Sequence, residues 1–217
     1  MKVGEIKLEA LRIMNINNDA ELTLENFDSI KTEARYSKYI NNMTNSINRA
    51  IDYINHRKVL PIQRMPLSSM VKSKGMNTNK YPLQQIGDLI SIDKVVYEDE
   101  YQYIESVPYN MEGSDLVIKK RYDDNYLTLL YNPKMQLLDA YVDDDDTIIG
   151  MDDKFARIIP YFIKFDLYQE DEPDLALNAK ATFEQELESL RIIETRQDDF
   201  TIEKVFSNGW WDCAVKE

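Results

Sequence analysis

Apolar residues recur at helical spacing in three stretches of the chain, roughly 2–15, 36–58 and 153–193, and lose that spacing over about ninety residues between the second and third. In the first stretch Val3, Ile6, Ala10, Leu11 and Met14 fit one helical stripe, and the cluster Asn17-Asn18-Asp19 predicts an end near Asn15. Thr23 stands before Leu24-Glu25-Asn26 as a capping hydroxyl ahead of first-turn acids, which predicts a short helix over 24–34. In the second stretch Tyr36, Ile40, Met43, Ile47, Ala50, Ile51 and Ile54 return every three or four residues and predict a long helix with one apolar face. Its other face carries Lys38, Asn41, Asn45, Asn48, Arg49, Asp52 and Asn55, a polar surface with little charge, of the kind that meets other protein. Pro61 disfavours helical geometry at Leu60 and closes the helix.

Residues 61–85 hold Pro61, Pro66, Gly75 and Pro82 without any sustained period, which predicts a long loop. From Ile86 the runs LISIDKVVY, YQYIESV, DLVIKK and YLTLLY are rich in β-branched and aromatic residues and read as strands of a small antiparallel sheet, with MQLLDAYV as a further short strand. The turn between the second and third runs is expected at Pro108–Gly113. Asp152 or Asp153 caps the third helical stretch, in which FARIIPYFIKFDLYQ is apolar nearly all round, as a core helix is. Pro160 kinks it or sits in its first full turn. Pro173 suits the first position of a second helix with Ala176, Ala179, Phe183 and Leu187 on one face, and the short join makes the two helices antiparallel neighbours. The expected fold class is therefore mainly α, a helical bundle with an inserted small antiparallel β module. Its parts are N-terminal helices over 1–60, a long basic loop over 61–85, the β module over 86–142, a C-terminal helical hairpin over 143–194 and a tail over 195–217.

Charge sharpens this division. The net charge of −13 is split into about +5 over residues 1–80 and −18 over residues 81–217. From Tyr53 to Gly87 there is no acid, yet Arg57, Lys58, Arg64, Lys72, Lys74 and Lys80 lie there. Such asymmetry suits a protein that docks one face on a partner or stacks with copies of itself. The segment interleaves few aromatics, so sequence-specific DNA recognition is not indicated, although phosphate contacts in a channel remain open. The adjacent Trp210 and Trp211 near the C-terminus either fold back on the chain or insert into a partner. No run reaches the eighteen or so apolar residues of a membrane span, and Glu5 and Glu9 stand where a signal peptide is apolar, so a soluble protein made inside the cell is expected.

Catalytic chemistry is sparse. His56 and Cys213 are the single histidine and cysteine, so any triad must use that one histidine, and a helix-end histidine bonded to the last carbonyls is the favoured reading of it. A lone cysteine permits neither an intrachain disulfide nor a cysteine-based zinc site within one chain. The run Asp143–Asp146 lacks the EF-hand spacing, with Ile148 where that loop needs its glycine, and reads as a solvated loop leading to a cap. The six glycines are scattered singly, with neither phosphate-loop spacing, and carboxylate pairs are too abundant to single one out. No enzyme activity, cofactor or metal is expected.

Three segments together resemble the head-to-tail connector adaptors of tailed bacteriophages. Val3-Gly4-Glu5-Ile6 with Glu9-Ala10-Leu11-Arg12-Ile13-Met14 looks like the first helix of that family, and Ser46-Ile47-Asn48-Arg49-Ala50-Ile51 is similar to its second long helix. Ile158-Ile159-Pro160-Tyr161-Phe162-Ile163, then Glu170-Asp171-Glu172-Pro173-Asp174 and Ala176-Leu177-Asn178-Ala179-Lys180, looks like its closing helical hairpin. They cover about a third of the chain, and the strand-rich middle departs from a minimal adaptor. The resemblance implies a structural virion protein at the neck of the particle, assembled in the host cytoplasm as a dodecameric ring. Its partners would be the portal protein, neighbouring copies and tail or further connector proteins, with DNA passing through unread and no membrane involved. Partner contacts are expected at Arg57, Lys58, Arg64, Lys72, Lys74, Trp210 and Trp211. Two other classes stay open: a metal-dependent intracellular enzyme using the acidic residues, and a regulatory module that binds a protein through a sheet edge.

Overall fold

The computed structural model describes residues 1–14, 22–74, 77–98, 104–119, 121–139 and 141–210; for Arg35, Lys74 and 192–210 it describes the backbone alone. The chain forms two units, one of Met1–Val59 with Met135–Glu217 and one of Leu60–Lys134.

The first unit is helical. It contains α1 (Val3–Ile13), α2 (Phe27–Thr32), α3 (Ala34–Arg57), α4 (Asp153–Ala156), α5 (Ile159–Tyr168) and α6 (Pro173–Trp210). Helix α5 is the hub, packing against α1, α3 and α6, and that is why its sequence is apolar nearly all round. Met43, Ile47, Ala50, Ile51 and Ile54 of α3 are fully buried along the predicted stripe, as are Ile163 of α5 and Phe183 of α6. Phe162, Phe183 and Tyr53 form a triangle of rings with centroids 5.2, 5.6 and 5.9 Å apart, in the tilted and edge-on arrangements that aromatic quadrupoles favour. Pro160 lies in the first turn of α5, after a break at Arg157 and Ile158, and Pro173 opens α6. Asp152 caps α4 by accepting the Lys154 N–H at 3.2 Å.

The second unit is all β. Its strands are β1 (Gln63–Pro66), β2 (Ser73–Lys74), β3 (Thr78–Pro82), β4 (Leu89–Glu98), β5 (Ile104–Ser106), β6 (Tyr109–Glu112), β7 (Asp115–Lys119) and β8 (Leu127–Pro133). They form two antiparallel four-stranded sheets in the orders β1-β8-β4-β5 and β2-β3-β7-β6. The sheets share one core, to which Val95, Leu127, Leu129 and Tyr131 come from the first and Tyr81, Leu116 and Ile118 from the second. Gly113, at φ 66°, takes the first position of the two-residue turn between β6 and β7, where a side chain would be strained.

The architecture corrects the expected helical bundle. Strand makes up 24% of the chain and the two sheets have their own core, so the molecule is a mixed α/β protein. The difference lies mainly in residues 61–85, expected as a long loop, which supply β1, β2 and β3. These strands are two to five residues long, Pro66 and Pro82 end two of them, and single-turn 3-10 segments follow at Leu67–Ser69 and Leu83–Gln85. Alternation needs a longer run to be visible, and proline at a strand end reads as loop. Strand β6 also lies where a turn was expected, the turn itself being Gly113–Ser114. Conversely, residues 135–139 of the MQLLDAYV run form no strand: Met135 and Leu138 pair with the side chains of Asn55 and Asn48, and the Gln136 N–H donates to the Ile149 carbonyl at 3.1 Å.

Candidate functional site

The expected contact residues fall on both units. Arg57 and Lys58 end α3 in the helical unit, while Arg64 on β1, Lys72 just before β2 and Lys74 on β2 belong to the β unit. Trp210 is the last residue of α6, its side chain outside the described part; Trp211 and Cys213 lie outside the described residues altogether.

Two of the cations are committed within the fold. Arg57 lies 5.1 Å over the Tyr53 ring and donates to its hydroxyl at 2.7 Å, while that hydroxyl donates to Glu184 of α6 at 2.9 Å. These residues rim a cleft of about 250 Å³ whose floor includes Leu187. Lys72 pairs with Asp124, a largely buried carboxylate that also accepts from the Tyr81 hydroxyl and, at 3.2 Å, from the Asn79 amide. The side chain of Lys74 is outside the described part. Lys58 and Arg64 are exposed and make no ion pair among the described residues. Lys58 moreover occupies the left-handed C-cap of α3 at φ 51°, a conformation that glycine takes without strain and lysine does not. His56 places Nδ1 2.7 Å from the Asp52 carbonyl one turn back, inside the helix and short of the last carbonyls expected as its partners.

The acidic run is an exposed loop at Asp143, Asp145 and Asp146 that leads to the Asp152 cap, as expected, but its backbone and Asp144 are built into the fold. The Val3 and Gly4 N–H groups at the start of α1 donate to the Asp146 and Asp144 carbonyls at 2.9 and 2.8 Å, so the loop backbone satisfies an otherwise open helix end. The Asp144 carboxylate accepts from the buried Lys7 of α1 at 2.8 Å and pairs with Lys31 of α2. Burial pushes the Asp144 carboxyl up, and the hydrogen bonds and charges of Lys31 and Lys7 outweigh it, holding the group below the usual aspartate value. Among the described residues no three His, Cys, Asp or Glu side chains gather as a metal site would.

A polar stripe on α3 was legible as such, but its partner was not. Asn41, Asn45, Asn48, Asp52 and Asn55 follow one another at intervals of three and four residues on the side of α3 away from its buried stripe. Asn48 donates to the Leu138 carbonyl at 3.0 Å and accepts the Leu138 N–H at 2.8 Å. Asn55 does the same with Met135, at 3.0 and 2.9 Å. Each carboxamide thus copies the edge of a strand, reading one residue of extended backbone through both of its groups. The chain matches no protein-family model and no curated protein sequence.

Proposed function

We propose that this protein is a structural adaptor of a tailed bacteriophage, forming a ring that joins the portal to the tail. The observation that carries the reading is the meeting of the three segments that resemble such adaptors. Val3–Met14, Ser46–Ile51 and Ile158–Lys180 are far apart in sequence, yet they lie on α1, α3 and the α5–α6 pair, all in one unit with α5 at its centre. Among the described side chains Lys58 and Arg64 are the contact cations left uncommitted by the fold, and Lys58 keeps a strained backbone position that an interaction would justify. Trp210 and Trp211 are the aromatic anchors of the reading, since buried aromatics dominate many interfaces.

The discriminating variant is Lys58→Gly. It relieves the C-cap strain and raises stability by about 1 kcal/mol, measured by urea unfolding, while weakening attachment of the protein to purified portal rings in sedimentation. Trp210→Ala with Trp211→Ala lowers attachment further. Unchanged attachment in all these variants would overturn the assigned contacts, and failure of the parent protein to bind portal rings would overturn the adaptor reading itself.

A further inference from the structure

The asparagine stripe of α3 extends beyond the segment it holds. Asn55 and Asn48 are seven residues apart, a helical rise of about 10.5 Å, and the residues they read, Met135 and Leu138, are three apart. Three residues of polyproline-type chain rise about 9.3 Å, so helix and extended segment keep step, running in opposite directions. The three-residue period also explains why 135–138 is extended without being a strand, whose edge repeats every two residues.

Seven residues before Asn48 stands Asn41, at the same angular position two turns toward the start of α3, with Asn45 between them. Among the described residues the intrachain segment makes no hydrogen bond to it. After Leu138 the chain turns, with the Val142 N–H donating to the Asp139 carbonyl at 3.2 Å. Asn48 and Asn55 are half-buried under the segment they bind, whereas Asn41 and Asn45 are exposed. The helix therefore presents, in the register of two occupied rungs, a third carboxamide of the same kind.

We propose that Asn41, flanked by Asn45, is a docking rung for an extended peptide segment of another protein, read through the N–H and C=O of a single residue. The continuity of the stripe with the α3 contact to 135–138 argues for this occupant, because carboxamides at this spacing already bind extended backbone twice in this molecule. Recognition through backbone alone makes the rung tolerant of sequence and selective for extended, unpaired chain.

The test is an NMR titration of the full chain, with asparagine side-chain amides labelled, using the synthetic heptapeptide Pro-Lys-Met-Gln-Leu-Leu-Asp. This is the sequence that the occupied rungs already bind. The proposal expects saturable shifts of the Asn41 and Asn45 amides with Asn48 and Asn55 unmoved, and loss of the Asn45 shift in Asn41→Ala. Because Asn41 is exposed, that variant keeps the parent unfolding midpoint. Still amides at Asn41 would overturn the proposal. So would shifts at Asn48 and Asn55, which mean exchange with the chain's own segment, or an Asn45 response that persists in Asn41→Ala.

Discussion

A methyl group on Gly4 would stand 3.0 Å from the Asp144 Cβ and 3.1 Å from the Asp144 carbonyl oxygen, tighter than ordinary packing, so the Asp144 backbone would have to give by a few tenths of an ångström. The glycine of the first adaptor-like segment thus has a physical reason, the close seating of the α1 start on the acidic loop. Gly4→Ala costs about 1–3 kcal/mol, read as a lowered urea midpoint at any pH. Asp144→Asn leaves Lys7 and Lys31 facing a neutral group and costs on the order of 3 kcal/mol at neutral pH. The Asp144 carboxyl titrates below the ordinary aspartate value in the folded protein, so its contribution is complete above about pH 4 and is lost as pH falls through the depressed value. Unfolding midpoints measured downward from pH 5 fall more steeply in the parent than in Asp144→Asn; parallel acid limbs would remove Asp144 from the account. This clasp was not legible in the sequence, because Lys7 and Asp144 are 137 residues apart and only folding brings them together. The same distance problem hid the Lys72–Asp124 pair, whose members look like loop charges until β2 and the turn before β8 are in place.

At the scale of elements, legibility followed the length of the repeating pattern. Helix α3 shows its buried face over 24 residues and was readable almost to its ends, and β4 and β8, long enough to repeat a β-branched and aromatic composition, were readable as strands. Strands β1 to β3 were not, since a strand of two to five residues ended by proline has no period to display. The asparagine face of α3 announced a protein contact, and the structure supplies one from residues 135–138 of the same unit. Asn48→Ala or Asn55→Ala strands a backbone N–H and a C=O together, and each variant costs about 1–3 kcal/mol in equilibrium unfolding. Asn48→Asp, which keeps an acceptor but turns a carboxylate toward the Leu138 carbonyl, is destabilised at least as much. Near-wild-type stability of these variants would mean that the rungs are incidental.

At the scale of the whole molecule, the β unit is an insertion between the two parts of the helical unit. The chain enters it on β1 and leaves it on β8, and these strands are paired neighbours, with Gln63 opposite Tyr131. Entry and exit side by side let a module sit within another without disturbing it. The fragment 60–134 is accordingly expected to fold alone, with a single cooperative denaturation and dispersed amide resonances; a collapsed spectrum without cooperative unfolding would contradict an independent core. The charge split gains a structural sense as well, because part of the acid excess is spent on Lys2, Lys7 and Lys31 of the helical unit. The proposed adaptor role is tested most directly by isolating the tagged protein from infected host cells, with stoichiometry read by native mass spectrometry. An adaptor is recovered with portal and tail proteins at the stoichiometry of a ring. Recovery alone, or with metabolic enzymes, would contradict that role.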